Sequence, residues 1–390
     1  MKASATSFGA ELRHRWRELF HQPLALFSIF LVPLLSSFLL LYMMERGLPT
    51  DMPVAIVNED HSASSRAIVR TLDAFQSTHV ALEANSMPEA LAAMRRGEVY
   101  GIYHIPPGLQ AKAGSSRQPK IHYYTNSAYL MAGSFVFRDM KMLSELVSAK
   151  VGLVTGQARG KTEEEILATI QPIAVRSEVM SNPWLNYAAY LTTTILPGLL
   201  QLMIFLYTAY SIGREVKRGT AQQWLQRNDG SIARSLLTKL LPQTVCFLLV
   251  GWAIQLILYI GMGYPLQAGG WTMALAMLLL VLSAQALAIF FFALIPTVRM
   301  AMSLSSLLGM LSFSISGMSV PVSSMIAPMQ ALSFIFPLRY YYNIGISQAL
   351  LGAPWLEALP YYLGLTAFLL LPILLLPRLK RYLIEVPYLP

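Results

Sequence analysis

The stretch Arg299-MAMSLSSLLGMLSFSISGMSVPVSSMIAPMQALSFIFPL-Arg339 holds 39 consecutive uncharged residues between two arginines. How often it crosses a membrane decides the topology of the whole chain. Residues 300–321 supply about the 20 apolar residues that a helix needs to span a bilayer. Residues 323–337 are apolar but too short, which predicts a segment that dips in and returns or lies at the interface. Five further apolar runs, at 24–44, 188–210, 241–262, 271–295 and 358–377, bring the expected number of spans to six.

Charge supports that number. With the N-terminus in the cytosol, the cytosolic segments hold Lys2, Arg13, Arg15, Arg17, Arg214, Lys217, Arg218, Arg227, Arg234, Lys239, Arg299, Arg378, Lys380 and Arg381. Against these 14 bases stand 5 acids: Glu11, Glu18, Glu215, Asp229 and Glu385. The other 15 bases and 15 acids fall outside and cancel, so the whole formal charge of +9 lies on one face, as the positive-inside rule requires. A second crossing within 323–337 would carry Arg378, Lys380 and Arg381 outside. Charge therefore favours a re-entrant hairpin over residues 322–351, before the last span.

Composition agrees with an α-helical polytopic membrane protein: 55% hydrophobic, 13% charged, mean hydropathy +0.50. A pI near 9.5 suits nucleic acid in principle, but here the bases sit at span ends, where anionic lipid head groups account for them. No nucleic-acid partner is expected. The single cysteine, Cys246, lies in the third run, so the outer domain has no disulfide, which suits a bacterial inner (plasma) membrane. The first run is too long for a signal-peptide core and no small-x-small site follows it, so it reads as a retained span.

Four regions follow. Residues 1–23 hold an amphipathic segment with Phe8, Leu12, Trp16, Leu19 and Phe20 on one side and Arg13, Arg15 and Arg17 among the rest. It is expected in the cytosolic interface, broken at Pro23 from the span at 24–44. It serves as a membrane anchor or as an elbow touching a cytosolic partner. Residues 45–187 are too many and too polar for a connector. Strands are expected at 53–57, 79–83, 99–105 and 120–125, with helices at 64–75 and 87–96, which predicts an α/β extracytoplasmic domain. From 128 to about 179 the pattern predicts two long helices, broken near 156–160. Residues 188–390 hold the remaining spans.

Several chemistries are disfavoured. Gly156-Gln-Ala-Arg-Gly160-Lys161-Thr162 has three residues between its glycines where a phosphate loop needs four, and no strand precedes it. His104, His122, Asp60 and His61 lack metal-ligand spacing, and no hydrolytic triad can be nominated. No catalytic, cofactor or metal site is expected in this chain. The six apolar runs contain no Asp, Glu, Lys, Arg or His, which argues against a proton-coupled carrier and places the energy source elsewhere. In the fifth run Ser305, Gly309, Ser312 and Ser316 recur at three- and four-residue spacing, a stripe suited to close helix packing within the chain or at a subunit interface.

One cytosolic loop stands apart. Ile212-Gly-Arg-Glu-Val-Lys-Arg-Gly-Thr-Ala-Gln-Gln-Trp-Leu-Gln226 joins the second and third spans as a charged helical segment with a Gly219-Thr220 break and an apolar end at Trp224. Together with Lys239-Leu-Leu-Pro242, residues 54–66 (VAIVNEDHSASSR), Tyr100-Gly-Ile-Tyr-His-Ile-Pro106 and Phe336-Pro-Leu-Arg-Tyr-Tyr342, it gives the chain a resemblance to the membrane subunits of ATP-binding-cassette exporters. The subgroup resembled is the type 2 permeases, or type V exporters. The resemblance runs from the first segment to the sixth span. After Tyr342 the chain departs from relatives that often carry an acid and an arginine there.

The resemblance implies a coupling helix at 212–228, with Arg214, Glu215, Gly219, Thr220 and Trp224 at the contact to an ATPase. It implies an elbow helix through Arg13, Trp16 and Arg17, and a re-entrant element through Phe336, Pro337, Tyr341 and Tyr342. ATP and Mg would sit on separate ATPase subunits, and a second permease copy or a paralogue would complete the assembly. Uncharged spans suggest an amphipathic or lipid-like cargo. The competing reading is a membrane-anchored receptor or assembly protein whose outer domain binds a partner.

Overall fold

The first helix, α1 (Phe8–Phe20), ends where Gln22 turns extended and Pro23 takes the first position of the next helix. That is the place where a missing N–H is harmless. The break expected at Pro23 is therefore present. The first span is α2 (Pro23–Met43), with a π turn at Phe27–Leu31 just before Pro33. The computed structural model describes residues 8–45, 47, 49–115, 117–173 and 186–385, so Lys2 and the last part of the stretch to 179 lie outside the described residues. The chain divides into two units, one of residues 46–178 and one made by both flanking parts.

In the 46–178 unit the order is β1 (Met52–Asn58), α3 (Ala63–Asp73), β2 (Thr78–Ala84), α4 (Met87–Arg95), β3 (Gly101–Ile105), α5 (Leu109–Gly114), β4 (His122–Thr125), α6 (Leu130–Gln157) and α7 (Glu163–Ile170). The sheet runs β2-β1-β3-β4, with β2 and β3 parallel to β1 and β4 antiparallel to β3. Period-2 alternation along β1 sends Val54 and Ile56 to one face, against Ile68 and Leu72 of α3 and Val136 and Met140 of α6. It sends Ala55 and Val57 to the other, against Ala90 and Ala93 of α4. All four expected strands and both short helices are present.

The expectation of two long helices after 128 needs correction. α6 has 28 residues, but α7 has only 8. Gly160 turns the chain at φ +75°, and Thr162 opens α7 with a reciprocal capping box to Glu165. α7 then folds back on α6, where Gly152 and Gly156 leave room for Ile170 and Ile166 directly on the helix backbone.

In the other unit α8 (Tyr187–Lys217), α9 (Ala221–Arg227), α10 (Ile232–Gly261), α11 (Gly270–Leu294), α12 (Val298–Ile315), α13 (Ala327–Ser333), α14 (Pro337–Ile344) and α15 (Trp355–Glu385) follow α2. Six of these helices, α2, α8, α10, α11, α12 and α15, are long and apolar enough to cross a membrane. α11 is the central one: 72% of its most apolar window is buried, against 22% for α2 and for α15. It packs on α8, α10, α12, α14 and α15. Helices α8, α10 and α15 outrun their apolar sequence and carry charge, α8 and α10 at one end and α15 at both, so charge-free runs do not mean charge-free helices. α12 stops earlier than the apolar run, because Gly317 at φ +100° cannot continue a helix.

Between α12 and α15 lie a 3₁₀ turn at Val322–Ser324, α13 and α14, and neither helix is long enough to cross. Cross-links define two ends. Arg378 donates to the Leu294 carbonyl (3.1 Å) and Gln222 to the Ile384 carbonyl (3.2 Å) at one end. Tyr190 donates to the Met318 carbonyl, and the Gln267 amide to the Ala349 carbonyl (3.0 Å), at the other.

Candidate functional site: a buried charge network

α8 ends in a Schellman turn. Gly219 takes φ +67°, its N–H reaches the Val216 carbonyl (3.0 Å), and the Thr220 N–H reaches the Glu215 carbonyl (3.0 Å). The turn aims the Thr220 hydroxyl back at the Glu215 carboxylate, to which it donates. The acidic residue, the glycine and the threonine of this loop thus form one device: glycine permits the turn, and threonine ties the carboxylate to it.

Glu215 is the centre of a larger set. Arg15 of α1 donates to Glu215 (2.9 Å), to Glu11 (2.9 Å) and to Glu18 (2.7 Å), and Lys239 of α10 pairs with the same oxygen of Glu215. Arg214 closes the set onto Glu18. Three carboxylates therefore face three cations, drawn from α1, α8 and α10. Glu11, Arg15, Arg214, Glu215 and Lys239 are all buried, which such groups tolerate only when paired. Burial works against the charged form of Glu18, yet Lys239, Arg15 and Arg214 hold its carboxyl below the ordinary carboxylate range. Burial likewise disfavours the charged Arg15, and Glu215, Glu18 and Glu11 outweigh it, so its pKa is raised.

The Trp224 ring of α9 lies over this set, with Lys239 Nζ 5.0 Å and Arg15 Cζ 6.0 Å from its centroid. Trp224 is 1% exposed and packs with Ile212, Leu225, Phe292 and Leu379. Asn228, wholly buried, donates to the Trp224 carbonyl (3.0 Å) and accepts from Thr238 (3.2 Å), fixing α9 to α10. Pairing of these groups joins the first helix, the end of one span, the loop helix and the start of the next span.

Two expectations about this region are corrected. The loop at 212–228 is not one surface helix: residues up to Lys217 continue α8, and α9 is a separate short helix. Trp224 is not an outward anchor, because its ring is needed inside to cover the cations. The outward face of the loop carries Lys217, Arg218, Gly219, Gln222, Gln223 and Gln226. In α1 the buried face is Glu11, Arg15 and Leu19, whereas Phe8 and Phe20 are exposed and Trp16, stacked on Phe20 at 5.9 Å, is half-buried. Arg13 and Arg17 are exposed. The apolar side read from the sequence is thus left largely open, and the face packed against the rest of the chain is the one that carries Glu11 and Arg15. Glu11, Arg15, Glu18 and Lys239 were missed as a group; the one local signal was the i, i+4 and i, i+3 alternation of sign at Glu11, Arg15 and Glu18.

The small-residue stripe lies elsewhere. Ser305, Gly309, Ser312 and Ser316 are buried within the chain. A Cβ on Gly309 would meet Leu202 of α8 at 2.5 Å, and Gln201 of α8 donates to the Ser312 hydroxyl (3.3 Å). Gly309 and Ser312 thus seat α12 on α8 within the chain. Phe336, Pro337 and Tyr341 are buried and Tyr342 is half-buried; Gln255 of α10 donates to the Tyr341 hydroxyl (3.0 Å) and anchors α14 in the bundle.

No group of three or more His, Cys, Asp or Glu suited to a metal occurs among the described residues. No curated protein matches the chain. A family model described as ABC-2 family transporter protein matches residues 24–376.

Proposed function

Because the chain belongs to the ABC-2 transporter family, we propose that it is the membrane subunit of an exporter driven by ATP hydrolysed on separate ATP-binding-cassette subunits. ATP and Mg sit on those partners, and a second copy of this chain or a paralogue completes the pathway. The cargo is amphipathic or lipid-like, taken from the cytoplasm or the inner leaflet of a bacterial inner membrane. The charge network carries this reading. In this reading a push on the exposed turn at Arg218 and Gly219 passes through Glu215 to α1 and α10, with which it is ion-paired through Arg15 and Lys239.

Residues 322–351 form a re-entrant element on the external side, and residues 45–187 form the extracytoplasmic domain. The charge asymmetry along the sequence supports cytosolic termini. Reporter fusions after residues 230 and 385 should read cytosolic, and fusions near 100 and 345 external. The decisive experiment is co-purification of an ATPase with the full chain, followed by ATP turnover in reconstituted membranes. A chain that recovers no ATPase and confers no ATP-dependent efflux would sink the proposal.

A further inference from the structure

The 46–178 unit contains a cleft of about 450 Å³ between α5, α6 and α7, within the size range of small-molecule sites. Its floor is apolar, with Leu109, Ile121, Val147 and Ile166. Its rim carries Arg117, Arg159 and Lys161, and among the described residues no acidic one lines it. On the other side of α5 a second cleft of about 330 Å³, between α3, α5 and α6, shares Leu109, Val147 and Val151 with the first. It adds Ile68 and Val154, with Lys150 as the one charged residue among the described residues that line it. Val151, Val154 and Ile170 leave apolar surface open along this track.

Two of the cations come from the segment that imitates a phosphate loop. That segment is the turn between α6 and α7, and it offers no cradle for phosphate. The N–H groups of Arg159 and Lys161 already donate to the Gly156 carbonyl, that of Gly160 to the Gln157 carbonyl, and that of Thr162 to Glu165. The side chains, not the backbone, face the ligand chemistry here, and that chemistry combines positive charge with a long apolar floor.

We propose that this double cleft binds a single-chain amphiphile with an anionic head, its tail along the apolar track and its head at Arg117 and Lys161. Charge complementarity selects the class: a neutral amphiphile leaves the rim unused, and a nucleotide leaves the floor unused. The inference stands on the 46–178 unit alone and needs neither the ATPase nor a direction of transport.

The test uses the full chain in phosphatidylcholine nanodiscs with a photoreactive long-chain carboxylate, mapping labelled peptides by mass spectrometry. Label should fall in 109–121 and 147–170 and be displaced by dodecanoate but not by dodecanol. Arg117→Glu with Lys161→Glu, both exposed positions, should weaken labelling about ten-fold, the scale of a lost charge-assisted contact, and Arg117→Lys with Lys161→Arg should retain it. Label confined to the spans, equal competition by dodecanol, or unchanged labelling of the charge-reversed chain would each overturn the proposal. A failure here leaves the exporter reading intact, since that reading is tested by ATP turnover.

Discussion

Glu215 and Lys239 lie on different helices, 24 residues apart, and their ion pair is roofed by the Trp224 ring, 5.0 Å from the lysine nitrogen. An ion pair so enclosed is expensive to break and less expensive to remove whole. Glu215→Ala should therefore cost about 3–5 kcal/mol, because Lys239 is left enclosed without its partner. Lys239→Met combined with Glu215→Ala should recover a large part of that loss. The measurement is a double-mutant cycle on thermal unfolding in detergent. Additive losses would mean that the two residues do not act as a pair.

The same network sets a pH dependence. A carboxylate whose pKa is lower in the folded state stabilises the fold above its unfolded value, and the contribution is lost as pH falls through the folded value. For Glu18 the full contribution is present above its ordinary value of 4.5 and fades below it, since Lys239, Arg15 and Arg214 depress its pKa against the effect of burial. The melting-temperature gap between the native chain and Glu18→Gln should be constant from neutral pH down to about 4.5 and narrow at lower pH. A gap that does not change with pH would remove Glu18 from the network.

The strands and the spans were legible because their signals are local. β1 alternates in period 2, each crossing is a run of apolar residues, and Pro23 and Gly160 mark helix boundaries by backbone chemistry. The site was only half legible. Its glycine and threonine belong to a turn readable in sequence, but Glu11 and Arg15 look like solvent-facing residues on any hydrophobic wheel. What makes them interior is Glu215, 200 residues away from Arg15, and a wheel drawn on α1 alone does not contain it. Trp224 misled for the converse reason: an aromatic at a loop end reads as a free anchor until its two cations are known. The Ser305 to Ser316 stripe was legible as close packing, while its partner, α8, was not.

Gly309 separates packing within one chain from packing between chains. With Leu202 2.5 Å from the position of an added Cβ, Gly309→Leu must push α12 away from α8. Overpacking of this kind costs about 1–3 kcal/mol. The expected result is a lower melting temperature of the chain itself, at any protein concentration. An unchanged melting temperature together with a changed oligomeric state would assign the stripe to a subunit interface instead.

The loop helix α9 gives the sharpest separation of structural from functional roles, because its two faces predict opposite phenotypes. Trp224 faces inward, and truncation to alanine removes a buried aromatic and uncovers Lys239 and Arg15, at a cost of about 3–5 kcal/mol. Folded protein should fall accordingly. Trp224→Phe should be far milder: it keeps a ring over the cations, and Trp224 Nε1 makes no hydrogen bond that would be lost, among the described residues. Arg218 and Gln223 face outward, so Arg218→Glu with Gln223→Glu should leave the melting temperature unchanged. If the exposed turn is where an ATPase pushes, that exposed double variant should reach the membrane at normal levels yet fail to retain the ATPase in a pull-down and lose cargo-stimulated hydrolysis. Trp224→Phe should retain both. Full ATPase association by the charge-reversed double variant would move the contact away from this turn, and a stable, fully active Trp224→Ala would show that the network does not carry force between the helices.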